Sequence, residues 1–257
     1  MIKHELFEAA KSIGIDKIGV AQIDGETIVV ALFPYYAANE RGNIAMYARA
    51  RDYHKVNSEK LTILCDFLKA NGAKKCDIFV DNAARNDREA ALAAGLGFFG
   101  RNNLLICDEY GSFFTIGQIV TDLFIEPDLP SEQKCESCDR CASACPTKAL
   151  CGGFNKLLCL SEITQKRGKL TEQEQKLLTL NDSIWGCDAC QLACPHNRQL
   201  RTNVHPELMQ NRVANLTPND ICALTESEFV EKYGEYAFSW RGLDVLKRNI
   251  MLQKCNF

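Results

Sequence analysis

No apolar run in the sequence approaches the roughly 18 residues that a membrane-spanning helix needs, so a helical membrane protein is excluded. The opening Met1-Ile2-Lys3-His4-Glu5 has no apolar core behind it, so a secretory signal is not expected and the expected location is cytoplasmic. An excess of charge of one sign is also missing. Lys+Arg 30 against Asp+Glu 33 leaves a net charge of −3, so the field of the whole molecule does not draw it to nucleic acid. Any RNA contact has to rest on local basic patches. There is no low-complexity tract and no internal repeat beyond two cysteine runs. With 257 residues, 46% hydrophobic and 25% charged, the chain can bury a full core as one large or two modest domains.

Cysteine is plentiful: 14 residues, without an export signal, point to reduced thiols and metal rather than disulfides. Cys135-Glu-Ser-Cys138-Asp-Arg-Cys141-Ala-Ser-Ala-Cys145-Pro146 is C-x2-C-x2-C-x3-C-P, the ligand run of bacterial two-cluster ferredoxins. In that run three thiolates hold one cubane and the fourth reaches the other, while the proline turns the chain away. Cys187-Asp-Ala-Cys190-Gln-Leu-Ala-Cys194-Pro195 echoes it with one cysteine fewer, and Cys159 is the best placed donor to complete it. The spacing gives Cys135, Cys138, Cys141 and Cys194 for one [4Fe–4S] cluster, and Cys145, Cys159, Cys187 and Cys190 for the other. Four-thiolate zinc sites and a disulfide knot are the alternatives. The remaining Cys65, Cys76, Cys107, Cys151, Cys222 and Cys255 are scattered, as small core residues would be.

Upstream of the clusters, apolar periodicity predicts helices over 3–13, 55–70 and 85–94 and strands over 17–20, 26–33, 77–80, 104–107 and 113–123. Closing helices are expected over 216–233 and 240–252. The expected fold class is α+β: a mixed α/β domain over 1–127, then a ferredoxin-like double-cluster domain over 128–257. Three upstream stretches stand out. Arg51-Asp52-Tyr53-His54 puts polar side chains just before a helix, where Asp52 could simply be a cap. Asp81 ends an apolar strand, a common place for ligands in open α/β sheets, although a turn or a cap would also use it. Ala94-Gly95-Leu96-Gly97-Phe98-Phe99-Gly100-Arg101-Asn102-Asn103 has glycines that allow close backbone approach to a large ligand, or only a turn.

In this order, the motifs resemble the epoxyqueuosine reductase family. The resemblance rests on Asp52-Tyr53-His54, Val80-Asp81 with Arg88, Ala94-Gly95-Leu96-Gly97 with Gly100 and Asn102, and Tyr110-Gly111-Ser112. It continues through Thr121-Asp122, both cysteine runs, Gly186-Cys187-Asp188, Ser239-Trp240-Arg241-Gly242 and Arg248-Asn249, from first helix to C-terminus. It implies cobalamin fed by two [4Fe–4S] clusters and reduction of the epoxide of epoxyqueuosine in the tRNA anticodon loop to an alkene. Asp81 matches the family's proton donor, with Tyr53 and His54 beside the corrin. The resemblance also implies corrin contacts from Gly97, Gly100, Arg101, Asn102 and Ser112. A cellular electron donor of flavodoxin or ferredoxin type is expected, as is a monomer.

Departures from the family pattern lie in a short segment before the strand at 29–33, in Asn82-Ala83-Ala84 after Asp81, and in the lack of C-terminal HEAT-like repeats. The chain thus reads as a short form. A cobalamin-dependent reductase of another small substrate, or an iron–sulfur electron carrier, remain the alternatives. Lys166, Arg167, Lys169, Arg198, Arg201, Arg241, Lys247 and Arg248 are candidates to meet phosphates, each also explicable as solvated surface charge.

Overall fold

The fold was obtained as a computed structural model that describes residues 2–37, 40–81, 86–198, 200–201 and 205–254. Arg85, expected to open a helix, and Asn82, Ala83, Ala84 and Cys255 lie outside the described residues. Helix α1 (Ile2–Ser12) buries Leu6 and Ala10, and leads to strands β1 (Ile18–Ile23) and β2 (Glu26–Pro34). Asp24 and Gly25 join these strands with φ of 51° and 81°, the left-handed pair that a two-residue hairpin turn requires. The first strand therefore runs on beyond the expected 17–20, up to the turn.

After helix α2 (Tyr53–Ala70) come β3 (Cys76–Val80), helix α3 (Asp87–Ala93), the short pair β4 (Phe98–Phe99) and β5 (Leu105–Ile106), and β6 (Phe114–Thr121). The main sheet has the order β1-β2-β6-β3 and every pairing is antiparallel. The two middle strands explain the long apolar run at 26–33. In β2, Val29, Ala31 and Phe33 face one core with Leu61, Leu64 and Leu68 of α2. Ile28, Val30 and Leu32 face a second core with Ala90, Ala91 and Ala94 at α3. A strand buried on both faces loses the polar alternation of a half-exposed one.

The second half is loop-rich and helical, with α4 (Arg140–Ala144), α5 (Leu160–Gln165), α6 (Glu172–Leu178) and α7 (Ala189–Leu192) around the cysteines. Pro195 opens a 3₁₀ turn directly after Cys194. The closing segment expected over 216–233 is two helices, α8 (Pro218–Ile221) and α9 (Glu226–Tyr233). Thr225 and Glu228 form a capping box that restarts the helix after a break. Helix α10 (Leu243–Lys254) ends the described chain.

One core spans both halves. Trp185, Leu216, Phe229, Phe238 and Leu246 from the second half are buried with Phe33, Leu61 and Ile119 from the first. Polar links reinforce it, since Ile184 N donates to Asn43 O at 2.8 Å and Asp52 N donates to Glu235 O at 2.7 Å. The second of these fixes the start of α2, and so the residues that follow Asp52.

Candidate active site and cysteine centres

Asp52 is the N-cap of α2: its side chain accepts from His54 N at 3.0 Å. The same oxygen lies 2.8 Å from His54 Nδ1, so the cap also orients the imidazole. Burial works against charge on both groups. Their mutual hydrogen bonds outweigh it, holding the Asp52 carboxyl below its ordinary range and raising His54 above the ordinary imidazole value. The cap expected of Asp52 is present and serves the site as well as the helix.

The side chains of Tyr53 and His54 stack at 4.2 Å between ring centroids, and both meet Asp81. The Tyr53 hydroxyl donates to Asp81 Oδ2, and His54 Nε2 lies 3.7 Å from the same oxygen. Asp81 follows the last residue of β3 with φ of 58°, a left-handed conformation that turns the chain sharply off the edge of the sheet. Its side chain is 46% exposed and that of His54 41%, whereas Tyr53 is buried. Burial, then the Asp81 carboxylate, raises the Tyr53 phenol well above its usual range, so Tyr53 serves as a donor. The result is a polar pair open to solvent on an aromatic wall, which Tyr47 extends at 6.0 Å from Tyr53. The placement differs from the parallel-sheet rule in one respect: β3 is the edge strand of an antiparallel sheet.

The cysteines form two groups. Cys135, Cys138, Cys141 and Cys194 line one cavity. Burial raises the Cys194 thiol, and the charges of Cys141, Cys135 and Cys138 add to the effect against a hydrogen bond from His196 N. In the second group burial pushes Cys187 up to about 11, with Asp188, Cys159 and Cys145 adding to it. Burial, then Cys187, Cys159 and Cys145, raises Cys190 as well. Among the described residues, no three His, Cys, Asp or Glu side chains are gathered tightly enough to hold a single metal ion. The cysteines of each group stand near enough to feel one another's charge.

Gly100, Arg101 and Asn102 line the first cysteine cavity, and Arg101 is ion-paired to Asp139. At Gly95 and Gly97 the close approaches are to the chain's own backbone. A Cβ on Gly97 would stand 2.2 Å from Ile106 O, and one on Gly95 2.2 Å from Leu129 O. Ser112 is buried, its hydroxyl bonded to Gln191 Oε1 and Asn197 Nδ2 at 2.9 Å each.

The 4Fe-4S double cluster binding domain model matches residues 134–197, and the model described as Epoxyqueuosine reductase QueG, DUF1730 matches residues 23–82. The epoxyqueuosine reductase of Bacillus subtilis (strain 168) is 31% identical over 308 residues, covering 100% of this chain and 79% of that protein. The chain belongs to the epoxyqueuosine reductase family. The reductase of Lactococcus garvieae (strain Lg2) is 39% identical over 82% of this chain, which spans 61% of that relative's length. A crystal structure of epoxyqueuosine reductase with an epoxyqueuosine-modified tRNA-Tyr stem loop superposes with a TM-score of 0.87 at 30% identity, over 98% of this chain and 80% of that one.

Around Asp81, two residues, Asp87 and Gln118, escape sequence reasoning. The Asp87 carboxylate accepts from the Asp81 backbone N–H and from the Gln118 side chain, which is fully buried in β6. Asp87 thereby anchors the left-handed turn at Asp81. Burial, then the Asp81 charge, pushes its pKa up to about 6. In sequence Asp87 looks like an ordinary acidic residue in a first helical turn. The one available signal is Gln118, an amide in the middle of an apolar strand.

Proposed function

We propose that this chain reduces the epoxide of epoxyqueuosine in tRNA to the alkene, with cobalamin and two [4Fe–4S] clusters as cofactors. One observation carries the reading. A half-exposed aspartate, gripped by a buried tyrosine and flanked by an oriented histidine, occurs in a chain that also collects two groups of four cysteines. The balanced reaction takes two electrons and two protons and yields alkene and water.

The residues fit the cofactors. Cys135, Cys138, Cys141 and Cys194 would hold one cluster and Cys145, Cys159, Cys187 and Cys190 the other. The C-x2-C-x2-C-x3-C-P run and the match to a 4Fe-4S double cluster binding domain favour cubanes over zinc. Tyr53 and His54 would flank the corrin, because the Asp81 and His54 side chains are half-exposed and Tyr47 and Tyr53 supply aromatic rings. When bound, the corrin supplies an electron-rich cobalt for carbon–oxygen bond cleavage, and the clusters supply single electrons. Asp81 delivers a proton from its carboxyl to the departing oxygen. Tyr53 Oη holds Oδ2 in place, and Asp52 fixes the His54 imidazole beside the same atom. Asp87 and Gln118 keep the Asp81 turn closed.

Among the described residues no helix is long and apolar enough to cross a membrane. A cytoplasmic monomer served by a flavodoxin- or ferredoxin-type donor completes the proposal. The half-exposed Asp81 carboxyl held by Tyr53 beside His54 weighs against a mere electron carrier, which needs no acid. The test is anaerobic reconstitution with iron, sulfide and cobalamin, then a single turnover on an epoxyqueuosine-containing stem loop. Loss of one oxygen from the nucleoside by mass spectrometry is expected. A fully loaded protein that leaves the stem loop intact but reduces a small epoxide would overturn the tRNA assignment.

A further inference from the structure

Asn102 sits at the tip of the β4–β5 hairpin and is 5% exposed. Its Oδ1 accepts from Leu104 N at 3.3 Å, which fixes the amide: the oxygen serves the turn and the Nδ2 end points elsewhere. Nδ2 is buried without a hydrogen-bond partner in the protein. The residue lines the cavity of Cys135, Cys138, Cys141 and Cys194. Opposite it, a Cβ on Gly100 would stand 2.5 Å from Asn102 Oδ1, so the glycine leaves room for this orientation. A buried N–H without an acceptor is costly and rare in native proteins. Its cavity gathers four cysteine sulfurs; of the other acceptors there, the Asp139 carboxylate is paired with Arg101 and the Glu136 carboxylate lies 3.9 Å from His196 Nε2.

We propose that the Asn102 amide donates a hydrogen bond to the sulfur of the first cysteine centre and raises the reduction potential of the cluster held there. The proposal rests on the cluster reading of those four cysteines. A reduced cluster carries one more negative charge than an oxidised one, so a fixed N–H donor favours the reduced form. Hydrogen bonds to sulfur are among the levers that set such potentials. Asn102 is in this view a tuning residue for electron delivery and not a corrin contact.

The experiment uses the reconstituted full chain and follows both clusters by EPR during redox titration, with iron content and cobalamin affinity measured alongside. Asn102→Ala should shift the reduction equilibrium of one cluster about tenfold towards the oxidised form, about 59 mV for a one-electron couple. The other cluster, the iron content and the corrin affinity should not move. Asn102→Asp keeps the acceptor that the turn needs and loses the donor, so its potential should fall at least as far. Unchanged potentials in both variants overturn the proposal, as does loss of corrin affinity with the potentials intact. Loss of the cluster in both variants also overturns it and makes Asn102 a structural residue. Failure of the underlying reading looks different: wild-type protein, or a Cys135→Ala variant, would give the wrong cluster count.

Discussion

For Asp81, one substitution separates acid from helix cap. Helix α3 already has its cap, because the Asn86 side chain accepts from Arg88 N at 3.0 Å. Asp81→Asn should therefore leave fold, iron and corrin content intact and lower single-turnover reduction by about 10²–10⁴-fold. Near-normal turnover with full cofactors would remove Asp81 from the mechanism. Its anchor Asp87 makes a separate, pH-dependent prediction. A carboxyl raised to about 6 in the fold is easier to protonate there than in the unfolded chain. Its contribution to stability is thus fully present below about pH 4 and lost as pH rises through about 6. Asp87→Asn keeps an acceptor for Asp81 N and removes the charge. Its stability relative to wild type should rise between pH 4 and 7 by roughly 1–2 kcal/mol, allowing for partial exposure. A pH-independent difference between the two melting curves would rule this out. Asp81, Tyr53 and His54 were legible in sequence, because a carboxylate ending an apolar strand and a polar tripeptide at a helix start are local patterns. Asp87 and Gln118 were not, since their pairing depends on which helix lies over which strand.

Among the elements, those with strong periodicity were readable and those defined by partners were not. Helix α2 combines Asp52 as cap with Leu61, Leu64 and Leu68 on one face, and its expected and observed spans agree closely. The antiparallel order β1-β2-β6-β3 carries no such signature, and the β4–β5 pair, two residues a side, is too short to alternate. Cys159 shows how spacing and structure combine. It ends a 3₁₀ turn at Lys156–Leu158 and is the N-cap of α5, and it feels the charge of Cys145, which lies in the other run. Cys159→Ala should cost one cluster and leave about four irons per chain, by the four-thiolate requirement of each cubane. An iron count of about eight would instead assign the ligand to another thiol, such as exposed Cys151.

For the molecule as a whole, the net charge of −3 conceals a local feature that bears on tRNA. The structure sorts the candidate basic residues by what they already do. Arg248 Nη1 donates to Lys166 O and Gly168 O at 2.6 Å each, Arg201 pairs with Asp16 at 2.6 Å, and Lys247 Nζ donates to Leu224 O at 2.7 Å. These three hold the fold together. Arg241 is different: its guanidinium lies 3.5 Å over the ring of Trp240, itself 49% exposed, and the charge of Arg167 reaches it. An exposed aromatic ring with two neighbouring guanidiniums suits a nucleic-acid strand, offering a stacking surface and phosphate partners together. Arg167 and Lys169 project from the loop that Arg248 braces, and both are exposed. If tRNA is the substrate, stem-loop affinity should fall steeply with salt, by about 0.7–0.9 log units per decade for each phosphate neutralised. Arg167→Glu and Arg241→Glu should each flatten that slope by about one such unit while leaving melting temperature and iron content near wild type. Arg248→Glu should instead lower the melting temperature, because it releases the loop. A flat salt response in the wild type, or slopes that ignore Arg167 and Arg241, would move the RNA to another face of the molecule or replace it with a small substrate.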